Sequence, residues 1–226
     1  MGQQQQHAQQ LQVDIVSDVV CPWCIIGYQQ FLKALATLPG YFDTTITWHP
    51  FELNPGMPQE GQDLGEHLRQ KYGTSSGQSQ AARTRLSQLG DSLGFKFDYF
   101  DGMRMVNTFR AHQLLHWAAE KGKQTELKLA LFEAFFTRRK NVNDTMVLLE
   151  VAAGVGLDEA EARAVLVDER NAQRVREEQQ FWLEKDVHAV PMFFLQQKYI
   201  VPGAQEPEAF TRLLQKIHAR GENAAT

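Results

Sequence analysis

The chain has 226 residues, a mass of 25.8 kDa, a net charge of −4 and a pI near 6.0. That balance gives no electrostatic reason to expect a nucleic-acid partner, and no apolar run approaches the roughly 18 residues that a membrane-spanning helix needs. Hydrophobic residues make up 43% of the chain, enough for a sizeable core, and the cysteine count is 2.

Residues 1–10 are Gln-rich and read as a disordered lead-in. They hold neither a basic stretch nor an apolar one, so no secretory signal is expected, and a chain that starts here is expected to stay in the cytoplasm. The β-branched run over 11–20 predicts a strand. Helical spacing at Ile25, Phe31, Leu32, Leu35 and Leu38 predicts a helix that Pro39-Gly40 ends. A second alternating, β-branched stretch over 44–49 predicts another strand, and a single helix between two strands favours a parallel pair. Three prolines and a glycine in residues 50–58 predict an irregular loop.

From 63 to 186 the pattern is almost wholly helical, with helices expected near 63–72, 78–93, 107–121, 124–138, 144–155, 158–166 and 168–186. Asn143 and Asp158 read as N-caps, the latter with Glu161 three residues on. Phe132, Phe135 and Phe136, with Leu127, Leu129 and Leu131, read as helix-bundle core. Residues 187–195 and 199–201 predict two strands of a hairpin, and 207–218 a final helix with Phe210, Leu213, Leu214 and Ile217 on one face.

The chemistry concentrates at Cys21-Pro22-Trp23-Cys24, where the first strand gives way to the first helix. Helix starts carry unpaired N–H groups and a dipole that favours negative charge. A thiolate on Cys21 is therefore stabilised and becomes a nucleophile. Pro22 suits a first helical turn, and Cys24, one turn on, is near enough to close a disulfide. Two other readings exist. A zinc site would need two more ligands, for which only His112 and His116, four apart, offer themselves; no metal is expected. Inert core cysteines are the other, but their place beside proline at a strand–helix junction argues for redox chemistry. Pro191, at the head of an apolar strand, is either an edge-strand proline or a cis-proline that aims a loop, and spacing does not choose between them.

Taken together, these residues resemble the thioredoxin superfamily and, within it, the DsbA-like thiol–disulfide oxidoreductases with a helical insertion, most closely the FrnE-like branch. The resemblance covers nearly everything after residue 11. It rests on Asp18 to Cys24 with Ile26-Gly27; Trp48, Pro50-Phe51 and Leu53-Asn54-Pro55; Asn107-Thr108 with Ala111-His112; Leu131-Phe132 with Ala134-Phe135-Phe136; Val190-Pro191; and Gly203-Ala204-Gln205. It implies an α/β thioredoxin-like fold from residues 11–60 and 187–226, with 61–186 as a large all-helical insertion domain. It also implies that Pro191 is a cis-proline facing the dithiol.

On this reading Cys21 is the exposed nucleophile and Cys24 resolves a mixed disulfide. Val190 and Pro191 position the partner chain, and Trp23 shields the pair. Asn107 and His112 are candidates to line the cleft over Cys21; a helix cap and a packed histidine are their other reading. No cofactor is expected beyond the Cys21–Cys24 disulfide, with glutathione a candidate reductant. Partners are protein or small-molecule thiols and disulfides, and monomer and homodimer both stay open.

This sequence departs from the branch at Ala189, where relatives often carry Gly, and at Arg139-Lys140-Asn141-Val142, where they often carry Gly-x-Asp-Ile. Strongly oxidising relatives carry His where this chain has Trp23, so the resemblance implies a weaker oxidant. The rival enzyme is a glutathione-dependent isomerase or transferase of the kappa-class type, whose relatives use serine where Cys21 stands. The rival outside catalysis is a redox-sensing binding module.

Overall fold

The computed structural model describes residues 8–224. The first strand, β1 (Gln9–Ser17), leads through a turn into α1 (Pro22–Ala36), and β2 (Phe42–Pro50) follows. A long helical section runs from α2 (Leu64–Tyr72) and α3 (Ser76–Ser92) through α4 (Phe109–Glu120), α5 (Gln124–Phe136), α6 (Thr145–Gly154) and α7 (Glu159–Asp168) to α8 (Ala172–Glu184). Two short strands, β3 (Gln62–Asp63) and β4 (Arg104–Met105), pair antiparallel within it. The hairpin β5 (Met192–Leu195) and β6 (Tyr199–Pro202) and the helix α9 (Pro207–Ala224) close the chain.

The main sheet has the order β2-β1-β5-β6, with β1 parallel to β2 and antiparallel to β5. Strand alternation assigns its two faces. Leu11, Val13 and Ile15 of β1 and Phe193 and Leu195 of β5 face α1 and α9, where Phe31, Phe193 and Phe210 meet tilted or edge-on with centroids 5.1 to 5.9 Å apart. Val16 of β1 and Met192 and Phe194 of β5 turn to the other face and meet Trp182 of α8 and Val187. The apolar cluster of the first face continues without a break into α4, α5, α6 and α7. The fold is therefore α/β and thioredoxin-like, with helices inserted between β2 and β5.

Several expectations shift. β1 begins at Gln9, so residues 9–10 are strand and not part of a disordered lead-in; residues 1–7 of that lead-in lie outside the described residues. β1 ends at Ser17 because Val19-Val20 form a turn in which the Cys21 N–H donates to the Asp18 carbonyl (3.2 Å). α1 starts at Pro22, in keeping with a proline suited to a first turn, where it needs no N–H partner. The helix expected over 144–155 is capped by Asp144, not Asn143: the Asp144 carboxylate accepts from the Met146 and Val147 N–H groups, while the Asn143 amide donates to the Gln59 carbonyl. Asp158 caps α7 as expected, accepting from the Glu161 N–H (2.8 Å). The strand expected from 187 starts only at Met192, because proline at 191 supplies no ladder donor. The two-residue pair β3–β4 carries too few residues to show alternation.

Candidate active site

Cys21 is the N-cap of α1, with extended backbone (φ −92°, ψ 112°), and Pro22 follows as the first helical residue. Both cysteines stand as thiols, Cys24 fully buried and Cys21 only 3% exposed. The expectation of an exposed Cys21 is thus corrected: α1 and the loop before β5 close over it. That loop comes from 169 residues further along the chain, and the Cys21 Sγ–H donates to the Val190 carbonyl at 3.7 Å. The Val190–Pro191 peptide is cis. Gly27, one turn into α1, lets the loop come this close, because a Cβ there would stand 3.2 Å from Pro191 Cγ and 3.3 Å from Ala204 Cα.

Cys21 opens onto a cavity of about 780 Å³. Its floor is Cys21, Pro22 and Val190; its walls are Leu68 and Tyr72 of α2, Leu86 of α3 and Tyr99. Trp23 lies on the rim with 48% of its surface exposed. It borders the entrance and leaves the shielding of the sulfurs to Val190. Lys71 reaches the same cavity from α2, and its Nζ donates to the Leu53 carbonyl and to Asn54 Oδ1, both at 2.7 Å. The inserted helices thus make most of the wall opposite the dithiol.

Behind the cysteines lies a polar layer sealed from solvent. The Asp18 carboxylate accepts from the Leu53 N–H (2.8 Å) and meets His112 Nε2 at 3.3 Å. Burial acts to raise the Asp18 pKa, but the His112 bond and charge, the Leu53 N–H and the charge of Lys128 outweigh it and hold the group below its ordinary value. Lys128 of α5 has no exposed surface. Its Nζ donates to the Ser17 carbonyl (3.4 Å) and lies over the Trp48 and Phe132 rings, 5.4 and 5.2 Å from their centroids. Burial lowers its pKa to about 8, although the Cys24, Asp18 and Cys21 charges act to raise it. Cys24 is pushed well above the usual thiol range, by burial first and by its neighbour Cys21, while the charge of Lys128 pulls the other way.

The structure therefore gathers Cys21, Pro22, Trp23, Cys24, Val190 and Pro191 from the two ends of the chain. It does not bring Asn107 or His112 into the cleft over Cys21. Asn107 ties the 50–58 loop to α4: its amide donates to the Met57 carbonyl (3.1 Å), and its Oδ1 accepts from the Phe109 N–H (2.9 Å). His112 lines a separate cavity of about 170 Å³ behind the dithiol, together with Lys128. Asn107 is held by the 50–58 loop and the start of α4, and His112 is held by Asp18, so neither points into the cleft. Sequence reasoning missed Lys128, although a cation four residues before Phe132 and three before Leu131, on an apolar stripe, is a readable anomaly. It also missed the cavity walls, which no local pattern marks.

Comparison with known proteins finds relatives that match most of the chain. A DSBA-like thioredoxin domain matches residues 12–215. The crystal structure of a probable DsbA oxidoreductase from Streptomyces coelicolor is 36% identical, covers 91% of this chain and 89% of its own, and superposes with a TM-score of 0.86. Protein YwbO of Bacillus subtilis is 27% identical over 204 residues, 89% of this chain and 94% of its own. The cytosolic disulfide reductase DsbM of Pseudomonas aeruginosa, solved with GSH, shares the fold at 19% identity and a TM-score of 0.57, covering 91% of this chain and 98% of its own. The chain belongs to the DSBA-like thioredoxin domain family, whose members are thiol–disulfide oxidoreductases.

Proposed function

We propose that this protein exchanges disulfides through Cys21-Pro22-Trp23-Cys24, as a disulfide reductase or isomerase of the FrnE-like branch. The observation that carries the proposal is the Cys21 thiol at the start of α1, 3.7 Å from the Val190 carbonyl beside the cis peptide, on the floor of an open cavity. The Cys21 thiolate attacks one sulfur of a substrate disulfide. A Cys21–substrate bond forms, the substrate bond breaks, and the departing thiolate takes up a proton. Cys24 then loses its proton and attacks Cys21 Sγ. The Cys21–Cys24 bond forms, the second substrate thiol leaves, and two electrons have passed to substrate. Val190 and Pro191 offer backbone to an extended substrate segment, and Trp23 borders its path. Thiols and disulfides of proteins or small molecules are the partners, glutathione among the candidate reductants, and the dithiol suits a reducing compartment such as the cytoplasm.

The kappa-type alternative uses serine at position 21, and the presence of both thiols 3 residues apart favours redox exchange. Insulin disulfide reduction with a regenerating thiol tests the proposal. Cys21→Ser is expected to abolish turnover. Cys24→Ser is expected to accumulate a mixed disulfide visible by intact-mass spectrometry. Full activity of Cys21→Ser, or glutathione conjugation that survives it, would defeat the redox reading.

A further inference from the structure

The cavity above Cys21 reaches past the dithiol to Leu86, Met103, Met105 and Phe136, and at about 780 Å³ it has the size of a small-ligand pocket. Two features fix the chemistry of its occupant. The walls are mostly aliphatic and aromatic, and the charged side chains among them are out of balance. Glu52 is the one carboxylate in the lining, and it already accepts from Arg176 and from Gln179 Nε2. Lys71 is held by two neutral acceptors, the Leu53 carbonyl and Asn54 Oδ1, and His67 Nδ1 meets Gln62 Oε1. Arg83 lines the wall that α3 provides. Among the described residues its guanidinium has a single acceptor, the Ser79 hydroxyl at 3.2 Å, and its Nε–H is buried with no acceptor at all. On its other side Arg83 borders a polar groove that holds Asp63, Glu66, Asp91, Asp98 and Asp101. Asp63 caps α2 and Asp98 pairs with Arg139, and no carboxylate of the described residues pairs with Arg83 within 4.0 Å. An apolar chamber that holds an unpaired guanidinium, in a chain of net charge −4, is complementary to an apolar molecule that carries an anion, and the planar fork of arginine matches a carboxylate.

We propose that the cavity selects small organic disulfides whose apolar body carries a carboxylate, and that Arg83 is the residue that binds the carboxylate. The inference rests on the function proposed above and names its substrate class. The Cys21 thiolate attacks the sulfur nearer the cavity. A Cys21–substrate bond forms, the substrate S–S bond breaks, and the other half leaves as a thiolate that water protonates. Cys24 then gives up its proton to solvent base and displaces the bound half as a second thiol. The dithiol has lost two electrons and the disulfide has gained them, while the carboxylate on Arg83 is unchanged throughout. Arg83 comes from an inserted helix, so the insertion decides which disulfide is accepted.

The test uses the reduced full chain with two reagents that share rings and disulfide, 4,4′-dithiodibenzoate and its neutral diamide. Stopped flow gives the rate of thiol release from each, and division by the rates with free dithiothreitol removes their intrinsic difference in reactivity. The wild type is expected to favour the acid over the diamide by about tenfold or more. Arg83→Met is expected to remove that preference, chiefly by slowing the reaction with the acid, and Arg83→Lys to keep part of it. An acid-to-diamide ratio that is the same in Arg83→Met as in wild type overturns the inference, with Arg83→Gln as the substitute should the Met variant not fold. So does a preference that Lys71→Met removes and Arg83→Met keeps, or a wild type without preference. Failure of the wild type to react with either reagent would instead defeat the redox reading itself.

Discussion

At the residue scale, the reactive centre is set by which side chains stand next to Cys21. Trp23 is the one neighbour within the motif that is half open to solvent, so it can be exchanged without disturbing the core. Indole offers no charge to a thiolate. An imidazolium at the same place would stabilise it, and with it the reduced form. Trp23→His is therefore expected to make the couple more oxidising, by about 30 mV for each 1.4 kcal/mol of added thiolate stabilisation. The wild-type couple is expected well below the roughly −120 mV of DsbA. Equilibration in graded glutathione buffers, alkylation and mass measurement read both values, and a Trp23→His potential equal to or below the wild type's would refute the electrostatic account.

At the scale of elements, α8 holds the loop that carries Val190 and Pro191, and a histidine clasps α8 to the sheet. His49 of β2 meets Glu178 of α8 through Nδ1 (2.5 Å) and Asp14 of β1 through Nε2 (2.9 Å). Only the imidazolium can donate to both carboxylates at once. Burial alone would lower the His49 pKa, but the two bonds and charges outweigh it and raise it above 6.5. Burial likewise acts to raise Glu178, yet His116 and His49 bring it down from 4.5 to about 2. Because His49 binds its proton more tightly folded than unfolded, its contribution is complete below the ordinary histidine value and fades as pH rises through the raised one. Glu178 contributes above the ordinary carboxylate value and loses this as pH falls towards about 2. The clasp is thus strongest between about pH 5 and 6.5. Glu178→Gln is expected to cost about 1–2 kcal/mol there, a drop of some 2–8 °C in melting temperature, and less at pH 9. A difference that does not vary between these pH values would rule out the clasp as a titrating contact.

At the scale of the whole molecule, one apolar cluster runs from the sheet face through α1 and α9 into the inserted helices α4 to α7. Trp48 of β2 shows how closely the parts are joined: its ring lies tilted against Tyr28 and meets Phe132 edge-on, its backbone N–H donates to Gln124 Oε1, and its Nε1–H donates to Thr125 Oγ1. A shared core without a dividing layer favours all-or-none unfolding. Calorimetry is expected to show a single transition with calorimetric and van't Hoff enthalpies in agreement. Two resolved transitions would mean that residues 61–186 unfold as a unit of their own.

The sequence by itself determined what depends on near neighbours. The β-branched run over 11–20 and a helical pattern after Cys24 place the dithiol at a strand–helix junction, and the cysteine spacing brings the two sulfurs within one turn. Asp158 and the breaks at Pro39-Gly40 and Gly156 mark element ends for the same local reason. Tertiary structure alone decided the rest. Cys21 is buried because a loop 169 residues away lies over it, Lys128 stands behind the cysteines because α5 packs on β2 and α1, and His112 serves Asp18 and not the cleft because α4 presents it to the back of the site. Periodicity tells which face of an element is apolar, but not which distant element will cover it. The burial that this covering imposes governs the charge on Cys24 and Lys128.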